Sequence, residues 1–133
     1  MSGDPPEPRW LSRAMAHAIH SDQIRQHGGA HGMHDEGLLE SVLACPRSHW
    51  TYDPRAELLE SAASYCVGIA RNHPFIVGNK RTAFQAAYVF LGLNGLRTEA
   101  AEPEVVDLMR NVASGVADEQ TVTDWLSGRT VRR

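Results

Sequence analysis

Apolar residues recur along this chain at three- and four-residue spacing, and no stretch alternates with the two-residue period of a strand. The pattern predicts an all-α bundle of about six helices. Ser12 is a plausible N-cap for the first, in which Met15, Ala18, Ile19 and Asp22 continue at helical spacing; His27-Gly28-Gly29 stops it near Gln26. In the second, Asp35 and Glu36 occupy the first turn, where acids are favoured, and Leu38, Leu39, Val42 and Leu43 form the buried stripe. Pro46 is expected to end it. Residues 46–55 carry two prolines and two aromatics, Trp50 and Tyr52, and read as a loop or flap. A third helix is predicted from about Ala56 to Arg71, with Leu59, Ala62, Ala63, Cys66, Ile69 and Ala70 inward and Ala62, Ala63 and Gly68 permitting close packing. The fourth, from about Asn79 to Asn94, is apolar nearly all round, the mark of a helix buried in mid-bundle. Asn94-Gly95 supplies its stop. Pro103 opens a fifth helix with Val105, Leu108, Met109 and Val112 inward. Asp118 caps a last one carrying Val122, Trp125 and Leu126.

This organisation implies a disordered lead-in at residues 1–9, a folded domain over residues 10–127 and a tail at residues 128–133, where Arg129, Arg132 and Arg133 read as solvated. A chain of 133 residues is one domain by size and long enough to bury a core without staples. The net charge of −3 gives no basic field that would argue for nucleic acid. No apolar run approaches a membrane span, and Met1 to Pro8 has no signal-peptide core, so a soluble cytoplasmic protein is expected. Cys45 and Cys66 read as reduced thiols in or near the core.

The chemistry concentrates in His73-Pro74-Phe75-Ile76-Val77-Gly78-Asn79-Lys80-Arg81-Thr82. A glycine turn that opens a helix leaves backbone N–H groups without carbonyl partners and adds the positive end of the helix dipole. Anions bind at such a place. Lys80 and Arg81 stand at the mouth of an apolar helix with little polar face for them to belong to, which suggests a ligand. His73 is the candidate general base, since imidazole, with an ordinary pKa of about 6.5, accepts a proton from a hydroxyl near neutral pH. Taken alone it reads more readily as a helix C-terminal cap, and Gly78-Asn79 as a plain interhelical turn; the flanking residues turn the reading of His73 toward a base. His27, His31 and His34 share a glycine-containing loop but have no cysteine or carboxylate at ligand spacing, a weak basis for zinc. His17 and His20 read as surface residues. Trp10, Trp50 and Trp125 read as packing anchors, with Trp50 and Tyr52 alternatively lining a docking flap.

The stretch HPFIVGNKRTA resembles the motif of the Fic/Doc superfamily, HPFx(D/E)GNxR, and lies nearest the death-on-curing (Doc) branch, where lysine follows Gly-Asn. HGGAHGMHDEGLLESVLACPR and FQAAYVFLGLNGL extend the resemblance over roughly residues 10–127. It implies an all-α bundle of about six helices. Fic enzymes move AMP from ATP onto a protein hydroxyl, whereas Doc-type members phosphorylate a threonine of elongation factor Tu. By this resemblance His73 is the catalytic base, Phe75 the core aromatic, Gly78 and Asn79 the anion cradle, and Lys80 and Arg81 the phosphate-contacting cations. Residues 46–53, with Trp50 and Tyr52, stand where the family has its target-positioning flap. The second arginine of Fic proteins would fall at Phe84, and its absence favours phosphoryl over adenylyl transfer.

Val77 departs from the motif. The family has Asp or Glu there, holding the Mg2+ that bridges the ATP phosphates, and valine cannot ligate a hard cation. An inactivated toxin, a slow phosphotransferase relying on Lys80 and Arg81, a Fic-type AMP transferase, and metal-independent chemistry on another substrate all remain open, as does a Fic/Doc-fold protein that only binds. The family's self-inhibitory (S/T)xxxE(G/N) helix has no match: Thr98 to Glu102 has the spacing, but Pro103 follows. Inhibition is therefore expected from another chain, a small Phd-like antitoxin whose disordered segment folds onto the toxin.

Overall fold

The computed structural model describes residues 6–52 and 57–133. Among them are six helices: α1 Arg13–His27, α2 Glu36–Tyr52, α3 Leu58–Asn72, α4 Asn79–Leu93, α5 Glu102–Ala113 and α6 Glu119–Ser127. The expected all-α bundle is what forms. The starts of α1 and α6 follow from their caps, as Ser12 Oγ accepts from Met15 N–H at 3.1 Å and Asp118 Oδ1 from Thr121 N–H at 2.8 Å. Gly95 takes the left-handed φ of 85° that ends the α4 segment.

α3 and α4 are the centre of the bundle. α2 and α6 pack on α3, α1 on α4, and α5 on both. Small residues bring the layers together: Ala62, Ala63, Ala70, Ala83, Ala86 and Ala87 are buried. A Cβ on Gly68 would stand 2.7 Å from Val42 Cγ1, so α2 and α3 approach closely only because residue 68 has no side chain. Phe90, fully buried on α4, lies between Trp10 (centroids 5.9 Å) and Tyr65 (5.2 Å). Burying such a ring contributes roughly 2–3 kcal/mol. Trp125 meets Phe84 edge-on at 6.0 Å and carries the Arg129 guanidinium over its face at 4.3 Å.

Several expectations are corrected. Pro46 does not end α2, which runs on to Tyr52 with Pro46 fully buried inside it. The missing N–H costs about 3 kcal/mol in a helix interior, and burial of the proline ring and the Trp50–Trp10 edge contact at 6.3 Å offset it. Trp50 and Tyr52 thus stand on a helix rather than a flap; Tyr52 is 94% exposed. The rest of the expected flap and the predicted start of α3 at Ala56 fall outside the described residues, as does the lead-in up to residue 5. At Arg9 the lead-in is already held, its N–H donating to Asn94 Oδ1 at 2.9 Å. Two short strands, β1 Leu96–Thr98 and β2 Thr130–Arg132, pair antiparallel where none was expected. The C-terminal arginines are accordingly not a free tail: Arg129 bonds Glu104 at 2.7 Å and Arg133 bonds Gly92 C=O at 3.0 Å. The buried face of α1 is Ala16, His20, Gln23 and Ile24. Cys66 is buried, which pushes its thiol up to about 12, whereas Cys45 is exposed; neither forms a disulfide.

Candidate anion-binding site at the start of α4

α3 ends at His73, whose αL backbone (φ 50°, ψ 55°) lets its N–H bond Ile69 C=O at 3.3 Å. The residue is therefore a helix C-cap by its backbone and an exposed imidazole by its side chain.

From there the loop is tied down on two sides. Pro74 C=O accepts from His34 N–H (2.8 Å) and Asp35 N–H (3.1 Å), Ile76 N–H donates to Gly32 C=O (3.2 Å), and Met33 and Phe75 form an antiparallel bridge. Phe75 is buried at 1% exposure. The Asn79 side chain closes on it, its Oδ1 accepting from Phe75 N–H (3.0 Å) and its Nδ2 donating to Phe75 C=O (2.8 Å). Asn79 is thus a buried brace that satisfies two backbone groups.

Gly78 is the N-cap of α4, with φ 81°, a conformation that favours glycine. The first backbone bond of the helix runs from Thr82 N–H to Gly78 C=O at 3.0 Å. The N–H groups of Gly78, Asn79, Lys80 and Arg81 have no acceptor among the described residues. Lys80 and Arg81 are exposed, without an ion-pair partner among the described residues. Four amides without acceptors, a helix dipole and two cations are the features that attract an anion.

Lys80 and Arg81 also line a groove of about 770 Å3, with Phe84 and Tyr88 of α4 on one wall and Val105 and Met109 of α5 on the other. His73, Gly78 and Asn79 do not line it. The two cations therefore stand between the motif loop and the groove.

One neighbour of the loop is buried rather than at the surface as expected. His20 is 4% exposed; its Nε2 lies 2.8 Å from Val77 C=O, and its ring stacks on Phe75 with centroids 3.9 Å apart. Burial holds its pKa below the ordinary imidazole value, against the bond to Val77 and with help from His31 and His17. Its place on the Ala16, His20, Gln23, Ile24 stripe was the available signal. His17 is half-buried, bonded to Glu36 at 2.9 Å and edge-on to Phe75 at 5.9 Å.

Val77 is 39% exposed. A Cβ placed on Gly29 would come within 3.1 Å of its Cγ2, so the isopropyl group fills the space beside the 28–32 loop. A divalent cation does not fit this donor set. Hard cations need oxygen ligands; valine offers none, and no group of three or more His, Cys, Asp or Glu side chains among the described residues is arranged to hold a metal.

A bundle centred on the helix behind HPFIVGNKRT, with unpartnered amides at that helix's start, defines the class of protein. The sequence profile of the Fic/DOC family matches residues 10–91, and the chain belongs to that family. It is similar to Protein kinase doc of Escherichia phage P1, with 36% identity over 109 residues, covering 82% of this chain and 86% of that one. It is also similar to Toxin Doc of Mycolicibacterium smegmatis (strain ATCC 700084 / mc(2)155), with 37% identity over 105 residues, covering 76% and 80%.

Proposed function

We propose that this chain is a Doc-like toxin that transfers the γ-phosphate of ATP to a protein hydroxyl, the threonine of elongation factor Tu being the substrate by resemblance, in the cytoplasm. The observation that carries the reading is the row of unpartnered amides from Gly78 to Arg81 beside an exposed His73. Relatives named a protein kinase and a toxin support the reaction class.

In this reading the amides and the two cations hold the nucleotide phosphates and neutralise their charge. His73 takes the proton from the attacking hydroxyl. The new O–P bond forms at the γ-phosphorus as the bond to the β-phosphate bridging oxygen breaks, and ADP leaves. A general base contributes typically 10²–10⁴-fold. Metal neutralisation of the phosphates is a main element of such catalysis, and Val77 cannot support it, so the activity is attenuated. A second reading, a protein that binds nucleotide or antitoxin without turnover, is favoured by that same valine. A Phd-like antitoxin segment laid in the α4–α5 groove would cover Lys80 and Arg81 and so block the phosphate site.

The test uses γ-labelled and α-labelled ATP with Mg2+ and purified elongation factor Tu. Label from the γ position alone is expected on the target, weakly with the wild-type chain, more strongly with Val77→Asp, and absent with His73→Ala. Label from the α position would make the chain an AMP transferase. Binding without label in both the wild-type chain and the Val77→Asp variant would leave the non-catalytic reading.

A further inference from the structure

The anion cradle depends on which way one peptide unit points, and the structure shows what points it. The Val77–Gly78 unit is trans, as are all the described peptide bonds. In a trans unit C=O and N–H face opposite ways. Val77 C=O is turned onto α1, where His20 Nε2 lies 2.8 Å away. A carbonyl oxygen only accepts, so Nε2 carries the proton and the neutral ring is the Nε2–H tautomer. Gly78 N–H is thereby turned away from α1, into the row of free amides.

The imidazole has little freedom to do otherwise. It is flat against Phe75, with 6° between the planes, and Phe75 is held by both polar atoms of Asn79. The ring itself is buried, at 4% exposure. The far side of the unit is seated on the same helix: a Cβ on Gly78 would stand 3.2 Å from Ile24 Cδ1 and 3.6 Å from His20 Nε2.

We infer that His20 is a positioning residue for phosphate binding, acting through the Val77 carbonyl to aim the Gly78 N–H at the anion. It touches no reacting atom. The inference rests on the reading of the loop as a phosphate cradle, and a flipped peptide would present a carbonyl oxygen to the anion in place of an amide.

The experiment is solution NMR on the full chain labelled with 15N, titrated with ATP and separately with inorganic pyrophosphate, without metal. In the wild type the amide resonances of residues 78–81 should shift, Gly78 among the largest. Long-range 1H–15N spectra should show the His20 ring as the Nε2–H tautomer. His20→Phe keeps the stacked ring but loses the donor; it should weaken ATP binding roughly tenfold, the equivalent of about one hydrogen bond. His20→Gln, which can still donate to the carbonyl, should recover part of that loss. Should His20→Phe fold poorly, the tautomer in the unmodified protein and the His20→Gln titration still decide. Wild-type amides unmoved by either ligand would remove the cradle and His20's role together. Wild-type binding that persists unchanged in His20→Phe, or an Nδ1–H ring, would remove the role of His20 and leave the cradle standing.

Discussion

At the scale of single residues, the site is held by side chains whose partners are backbone groups. Asn79 shows how much rests on one. It occupies the first position of α4, yet its side chain turns back to satisfy both polar atoms of the Phe75 backbone. Asn79→Ala leaves a buried N–H and a buried C=O without partners, each worth about 1–3 kcal/mol. Urea unfolding should show a loss of about 2–4 kcal/mol. Asn79→Asp keeps the acceptor but sets a carboxylate oxygen against Phe75 C=O in place of the donor, so it should recover little of that loss. A loss below about 1 kcal/mol for alanine would mean that water replaces the brace. The motif was legible in the sequence because its residues are contiguous and chemically diverse. The brace was not, since Asn after Gly reads as a turn residue until its side-chain partner is known. His20 was hidden differently: with His17 three positions before it, on a largely polar helix, it resembled a surface pair. Its spacing from Ala16 and Ile24, four positions to either side, was the one hint that it points inward.

At the scale of elements, caps and periodicity were readable and tertiary rescue was not. Ser12, Asp118, Gly95 and Pro103 mark the helix ends they were expected to mark, because capping is settled within a few residues. Pro46 was read by the same local logic and misled it, because Trp10, a partner far earlier in the chain, holds the turn beyond the proline. The β1–β2 ribbon escaped for a similar reason. Three residues are too few to show a period, and the strands pair only across the whole of α5 and α6. The cap at Ser12 has a consequence for the site, since α1 carries His20. Ser12→Ala should cost about 1 kcal/mol, visible as a fall of a few degrees in Tm. Hydrogen exchange should quicken first at Met15 and its neighbours. If exchange instead quickens evenly along the chain, α1 does not fray as a unit and the cap serves the global fold alone.

At the scale of the whole molecule, three buried titratable groups tie the stability of the fold to pH. Just below neutral pH the group is His20, with the Asp118 cap following at lower pH. Burial lowers the His20 pKa, and the nearby His31 and His17 add to this if charged, while the bond to Val77 C=O opposes it; His17 is itself paired with Glu36. Below its ordinary value of 6.5 the unfolded chain takes up a proton that the folded chain still refuses. Protons then favour the unfolded state, so stability falls as pH drops from about 6.5 toward the folded pKa. On the alkaline side the Cys66 thiol and the Tyr65 hydroxyl are both pushed up to about 12 by burial, from 9.0 and 10.0. There the unfolded chain gives up protons that the folded chain retains, so stability falls again as pH rises past 9.0. Urea midpoints measured from about pH 5 to about pH 11 should therefore form a plateau with two shoulders. The two can be separated by mutation. His20→Phe should flatten the acid shoulder and leave the alkaline one, and Cys66→Ala should reduce the alkaline shoulder alone, even though its midpoints lie lower throughout because of the cavity it makes. An acid shoulder that survives unchanged in His20→Phe would assign the loss to other groups, and with it would go the picture of a neutral imidazole locked between Phe75 and the Val77 carbonyl.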